Sequence, residues 1–207
     1  MQTYLFPLLL AASMLLSVNV FAQRPDVIEL PAPQMTGGMP LFDTISARQS
    51  TKAYSDKEVS LQNLSTILWA AYGFNRPDMR VIPTPNNRQH LSVYVFLKDS
   101  VYLYDAATNK LHKKADGDHR RSVGGQEYVY IAPVNLLFVA DGANGAGTGS
   151  HISVGCASQN VYLASAALGL ATVIRGSGID AEKLRPLLKL AETDEFIAVQ
   201  TIGYKPE

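Results

Sequence analysis

Arg48-Gln49-Ser50-Thr51-Lys52 sets two cations four residues apart with hydroxyls between them. That set suits a phosphate: a guanidinium grips oxygens as a fork, an ammonium adds a point charge, and Ser50 and Thr51 can donate to the oxygens left over. On spacing alone, a solvated polar turn ahead of a helix fits the same residues, because basic and hydroxyl side chains commonly mix on surfaces.

Other chemistries fit less well. Gly142, Gly145, Gly147 and Gly149 follow a strand-like run but miss the Gly-x-Gly-x-x-Gly spacing, and no acidic residue follows about 20 positions on. The chain has no Gly-Lys-Ser/Thr for a P-loop. His151-Ile152-Ser153-Val154-Gly155 approaches a nucleophile elbow with His151 where the first Gly belongs. His90, His112, His119 and His151 lack ligand spacing, so no metal site is expected. Cys156 lies in an apolar stretch and reads as a buried structural thiol.

Behind these residues stands an ordinary globular chain of 207 residues, 47% hydrophobic, with 18 basic against 18 acidic side chains. Zero net charge gives no electrostatic footprint for nucleic acid. One Cys excludes an internal disulfide and a multi-Cys metal site.

Residues 1–22 differ in kind. Leu5 to Leu16 is apolar apart from Pro7 and Ser13, and Val20 and Ala22 fit the positions before a signal-peptidase cut. The expectation is an exported, periplasmic protein beginning at Gln23, with no stable membrane span after cleavage; an uncleaved anchor is the alternative. Residues 23–43 carry Pro25, Pro31, Pro33, Pro40 and Gly37-Gly38, which reads as an extended tether outside the core. The domain proper is expected over 44–207.

Within it, Ser60 to Gly73 reads as a helix capped by Ser60, with Leu61, Leu64, Leu68 and Ala71 buried and Gly73 as a left-handed stop. Leu91–Leu97 and Val101–Tyr104 read as a hairpin. Asp105–Arg121 reads as a surface loop, and Tyr128–Ala140 as a β-rich run divided by Pro133. Residues 141–150 form a glycine loop before a helix from about Ile152 to Leu170 with no clear polar face. Asp180 caps a shorter helix through Leu190, and Phe196–Ile202 is a closing strand. Strands and helices mix without regular alternation, giving an α+β fold.

Arg48 to Tyr54 resembles the opening motif of the FMN-dependent nitroreductase family, Arg-x-Ser-x-Arg/Lys-x-Phe/Tyr. The resemblance runs in order through residues 44–204. Leu64–Gly73 matches the first long helix of the family, and Pro83-Thr84-Pro85-Asn86-Asn87-Arg88-Gln89 resembles its Pro-Ser-Ser-x-Asn-x-Gln segment. Ser158–Leu163 and Ala167–Thr172 resemble Gln-Asn-Leu-x-Leu and Ala-Leu-Gly-Leu-Gly-Thr, and Ile202-Gly203-Tyr204 its closing strand. Leu68–Gly73 and Val101–Asp105 also resemble the branch containing thiazoline and oxazoline dehydrogenases.

The resemblance implies a mostly antiparallel central sheet flanked by helices, an intertwined homodimer with FMN at the subunit interface, and a flavin oxidoreductase working in two half-reactions through flavin N5. Arg48, Gln49, Ser50 and Lys52 would hold the phosphate and ribityl chain. Asn87 and Gln89 would face the pyrimidine, whose uracil-like edge needs both a donor and an acceptor. The backbone at Ile174, Arg175 and Gly176 would run along the isoalloxazine, and Lys205 would be the last phosphate cation. A small-molecule donor and acceptor are implied: nitroaromatic, quinone or heterocycle. No side chain is singled out as catalytic. A flavin-binding or structural relative without turnover is the alternative.

Overall fold

The structure, a computed structural model, describes residues 24–206; the expected signal segment and its cut lie outside them. Its centre is a seven-stranded sheet in which every pairing is antiparallel. In chain order the strands are β1 (Val27–Glu29), β4 (Leu91–Phe96), β5 (Ser100–Asp105), β6 (Lys110–Asp116), β7 (Val134–Ala140), β8 (Ala171–Arg175) and β9 (Glu195–Gly203). They lie side by side as β1-β6-β5-β4-β7-β9-β8, and a two-stranded ribbon, β2 (Phe74–Arg76) and β3 (Met79–Arg80), stands apart.

Helices cover both faces. The side chains of β4 divide accordingly: Leu91, Val93 and Val95 join α2 (Leu61–Tyr72) and α4 (Thr148–Ala167), whereas Tyr94 and Phe96 join α3 (Glu127–Ile131) and α5 (Ala181–Leu188). β7, between β4 and β9, is buried along its whole length, as a strand covered on both faces must be. The α+β reading, the antiparallel sheet and the hairpin of β4 and β5 therefore stand, with Tyr94 opposite Leu103 and Phe96 opposite Val101.

Several local expectations are corrected. The Ser60 side chain caps α2 through the Asn63 amide (3.2 Å), but Gly73 is extended (φ −72°), not left-handed. Glycine is needed there for space, since a Cβ would stand 2.8 Å from the Trp69 backbone. Leu61 is 44% exposed at the first turn rather than buried. The expected loop after Asp105 contains β6, whose only fully buried apolar side chain is Leu111; Lys113 is largely covered and paired with Asp26 and Asp116 while Lys114 is exposed, so the strand lacks the usual apolar alternation. Glu127–Ile131 is helical despite its β-favouring residues, because Val129 is buried and the Ala132 amide reaches back to Tyr128 O (3.1 Å).

The segment expected to stay off the core joins it. Ile28 pairs with Leu111 on the sheet edge, and both Ile28 and Leu30 are buried. Pro31 O then accepts from Ser65 Oγ (2.6 Å) and Asn109 Nδ2 (2.9 Å), so the prolines fix a course rather than loosen one. Beyond it, α1 (Leu41–Ala47) leads into the cationic motif.

α4 starts at Thr148, earlier than expected, and shows one polar-flecked exposed face of His151, Ile152, Gly155 and Gln159. Cys156 sits beside it, half-buried rather than buried. α5 ends at Leu188, two residues after Pro186, and Lys189 then takes the left-handed conformation (φ 57°).

Candidate active site

Beyond α1 the motif runs along the free edge of β8. Ser50 bridges Thr172 in parallel fashion, and the Thr51 amide donates to Thr172 O (3.0 Å). Behind it, buried Tyr54 donates its hydroxyl to Thr51 O (2.7 Å) and reaches Thr201 O (3.4 Å). Burial pushes the Tyr54 phenol well above its ordinary pKa, so it stays a donor.

Alternation along this run brings Arg48, Ser50 and Lys52 to one side. The Arg48 guanidinium lies over the Tyr162 ring (5.1 Å to its centroid) and Lys52 Nζ over Tyr128 (5.8 Å). Ser50 Oγ is 2.8 Å from Tyr162 Oη, which accepts the Ile174 amide (3.1 Å). Among the described residues no carboxylate lies within ion-pair distance of Arg48 or Lys52. Two cations and a hydroxyl on one edge, uncommitted to any acid, form an anion-seeking surface. Buried Thr172 Oγ1, beside Ser50, has no hydrogen-bond partner among the described residues.

Arg175 differs from its neighbours on β8. Its side chain turns through the sheet and is 9% exposed, donating to Thr201 Oγ1, Val123 O (2.9 Å) and Asn135 Oδ1 (3.4 Å). Burial lowers the guanidinium pKa. Only backbone at Ile174–Gly176 therefore remains at the edge, beside exposed Gln49 and the motif.

Asn87 and Gln89 lie elsewhere. Asn86 and Asn87 both take the left-handed conformation (φ 52° and 53°), which Asn tolerates, and turn the chain tightly after Pro85. Asn87 Nδ2 and Gln89 Nε2 both donate to Asp78 O (3.2 and 2.7 Å). Pro85 packs on Gly149, where a Cβ would stand 2.8 Å from its ring, and Ser153 Oγ donates to Pro83 O (3.2 Å). This cluster thus sits at the start of α4, whereas Arg48 and Ser50 sit at Tyr162; thirteen helical residues separate the two, ~20 Å along the axis. One chain alone does not bring them together. Lys205 also stands off: Tyr204 O accepts the Ser55 amide (2.9 Å), placing Lys205 beside Ser55 and Lys57 rather than Arg48.

An open cavity of about 690 Å³ adjoins Gln89, with Arg88, His90, Asp141 and Asn144 in its wall. His90 is buried there and 2.6 Å from Ser150 Oγ. A more apolar cavity of about 470 Å³ lies across α3: Tyr130 and Ile131 line it while Tyr128 faces Lys52. No metal-ligating cluster occurs among the described residues, and no helix among them is long and apolar enough to cross a membrane.

The sequence profile of the nitroreductase family matches residues 45–204, and the chain belongs to that family, whose members are generally flavin-dependent oxidoreductases. A protein of Methanocaldococcus jannaschii, named only provisionally as a nitroreductase, is 30% identical over 186 residues, which cover 81% of this chain and 92% of that one. A crystal structure from Ralstonia eutropha with a similarly provisional name superposes with a TM-score of 0.81 at 35% identity, covering 88% of this chain and 91% of the other. Another, from Desulfovibrio desulfuricans and in complex with FMN, gives 0.61 at 25% identity over 83% of this chain and 89% of its own.

Tyr162, Thr172 and Tyr128 take part in the site without having been marked as functional in the sequence. Their roles arise from which strand and helix they meet. The one local sign is a polar-tipped aromatic, Tyr162, inside a helix rich in small residues.

Proposed function

We propose that the chain is an exported, homodimeric FMN-dependent oxidoreductase that carries electrons from a small-molecule donor to a small-molecule acceptor in two half-reactions. The observation that carries this reading is the uncommitted Arg48–Ser50–Lys52 set on the edge of β8. The donor set suits a phosphate and polyol, and the FMN complex of the Desulfovibrio desulfuricans relative supports that choice. When bound, FMN supplies reversible two-electron transfer between donor and acceptor.

The protein's own part is binding and orientation. Arg48 and Lys52 neutralise the phosphate, while Gln49 and Ser50 meet the phosphate and ribityl oxygens. The backbone of Ile174–Gly176 runs along the β8 edge beside the flavin, with the Ile174 amide tied to Tyr162 Oη and the strand held by the buried Arg175 anchor. Asn87 and Gln89 meet the pyrimidine edge. Lys205, beside Ser55, lies apart from Arg48 and would reach the phosphate only from the outer side.

The ~20 Å between the two clusters supports a dimer, in which one copy's Asn87 and Gln89 approach the other's cationic motif. So do Leu41, Phe42 and Ile45 on α1 and Ile152 on α4, all apolar and exposed, Phe42 to 82%. Export follows from the apolar leader, and it favours a donor other than a nicotinamide nucleotide or operation as a dehydrogenase. No residue here selects among nitroaromatic, quinone, enone and heterocyclic substrates.

Turnover screens with nitroaromatic, quinone, enone and heterocyclic substrates, each with nicotinamide and non-nicotinamide partners, test the reading. Turnover with some pair is expected. A protein that binds FMN yet turns over no pair would be a flavin-binding relative without catalysis.

A further inference from the structure

Tyr162 lies on α4, 7% exposed, at the point where the cationic motif, β8 and the long helix converge. Its hydroxyl accepts the Ile174 N–H (3.1 Å) and sits 2.8 Å from Ser50 Oγ. A phenol has one proton to give. With the Ile174 amide pointing at its oxygen, and Ser50 Oγ the one acceptor for it among the described residues, the arrangement that leaves the phenol proton paired within the protein sends it to Ser50 Oγ. The Ser50 proton is then displaced from the protein side. Ser50 is itself exposed, so its O–H faces outward.

We infer that Tyr162 is a positioning residue of the flavin site: through its hydroxyl it fixes Ser50 as an outward donor and ties the β8 edge to the cationic motif, while its ring carries Arg48. The inference rests on the FMN reading above and deepens it. Three groups assigned to cofactor binding, Arg48, Ser50 and the Ile174 backbone, meet at this single side chain. The order amide, phenol, serine, ligand oxygen makes each bond polarise the next, and every member of the chain donates in the same direction. An arriving phosphate or ribityl oxygen, which only accepts or can accept, therefore meets a hydroxyl already turned toward it. Tyr162 also occupies the open position of the Gln-Asn-Leu-x-Leu pattern, so the device belongs to this chain and not to the motif.

The test is a double-mutant cycle on the full chain, with FMN affinity read by flavin fluorescence quenching. Tyr162→Phe keeps the buried ring and removes the hydroxyl; Ser50→Ala removes an exposed one. Each single variant is expected to weaken FMN binding about tenfold, and the double variant to be no more than about twofold worse than Ser50→Ala alone. Thermal melts of the apo proteins check the fold. Wild-type affinity in Tyr162→Phe, or losses that multiply in the double variant, would overturn the inference. Should Tyr162→Phe fail to fold, Ser50→Ala decides: wild-type affinity there removes the donor that Tyr162 is held to position. A wild-type chain that binds no FMN would bring down the flavin reading itself, and this inference with it.

Discussion

The Thr51 amide donates to the Thr172 carbonyl at 3.0 Å, so the cationic motif extends the sheet beyond its last regular strand. A backbone bond to an edge strand fixes where a segment lies and which way its side chains alternate. Here it converts a run of polar residues into a row of donors, with Tyr54 clamped beneath through Thr51 O.

If that row holds a phosphate, Arg48→Ala with Lys52→Ala should abolish flavin retention. Charge-assisted bonds are worth about 1.5–3 kcal/mol each, so the pair should weaken FMN binding by roughly 10²–10⁴-fold. Equilibrium dialysis measures it. Lys52 is exposed, Arg48 is partly so, and neither has an ion-pair partner among the described residues, so the variant should melt near the wild type.

Self-association gives a second expectation. The wild type should sediment at twice its chain mass, and Ile152→Glu should sediment as a monomer. Ile152 is 58% exposed in the single chain, so the carboxylate is tolerated there and costly only when a partner covers it. Sedimentation of both proteins checks the pair; a monomeric, FMN-loaded wild type would refute the dimer.

Gly142→Ala tests the packing behind the 690 Å³ cavity. Its Cβ would collide with the Thr193 backbone carbonyl, which cannot swing aside as a side-chain tip can. A loss of about 3 kcal/mol is expected, visible as a lower denaturant midpoint with an unchanged slope.

The pH dependence at the alkaline end follows from the buried tyrosines. Burial pushes the Tyr104 phenol up from 10 to about 12. Between those values the unfolded chain has lost that proton and the folded one keeps it, so stability falls as pH rises. The contribution is complete below pH ~10 and lost by ~12, with a slope of about 1.4 kcal/mol per pH unit for one such group. Tyr104→Phe should flatten the decline in that window, as chemical denaturation at pH 9 to 11.5 would show. Equal slopes for wild type and variant would contradict it.

What the sequence disclosed and concealed follows one physical division. α2, the β4–β5 hairpin and the order of motifs were legible because capping, periodicity and turn chemistry act over a few residues. β6 was not: a strand between β5 and the short β1 carries three lysines, and Leu111 is its only fully buried apolar residue. β1 was hidden among prolines, and its place is set by pairing with a segment more than eighty residues away. Within the site, Arg48, Ser50 and Lys52 were of types that suit an anion, but their spacing alone fitted a solvated turn as well, and the family resemblance singled them out. Tyr162 was not singled out, because its meaning depends on Ser50 and Ile174 arriving from two other elements. Arg175 misled in part: its side chain serves the opposite face of the sheet.

The most direct test of the central claim is the visible absorption spectrum of the purified protein, followed by identification of whatever cofactor is released on denaturation. Oxidised-flavin bands and released FMN are the predicted result. A colourless protein that also fails to take up added FMN would contradict the account.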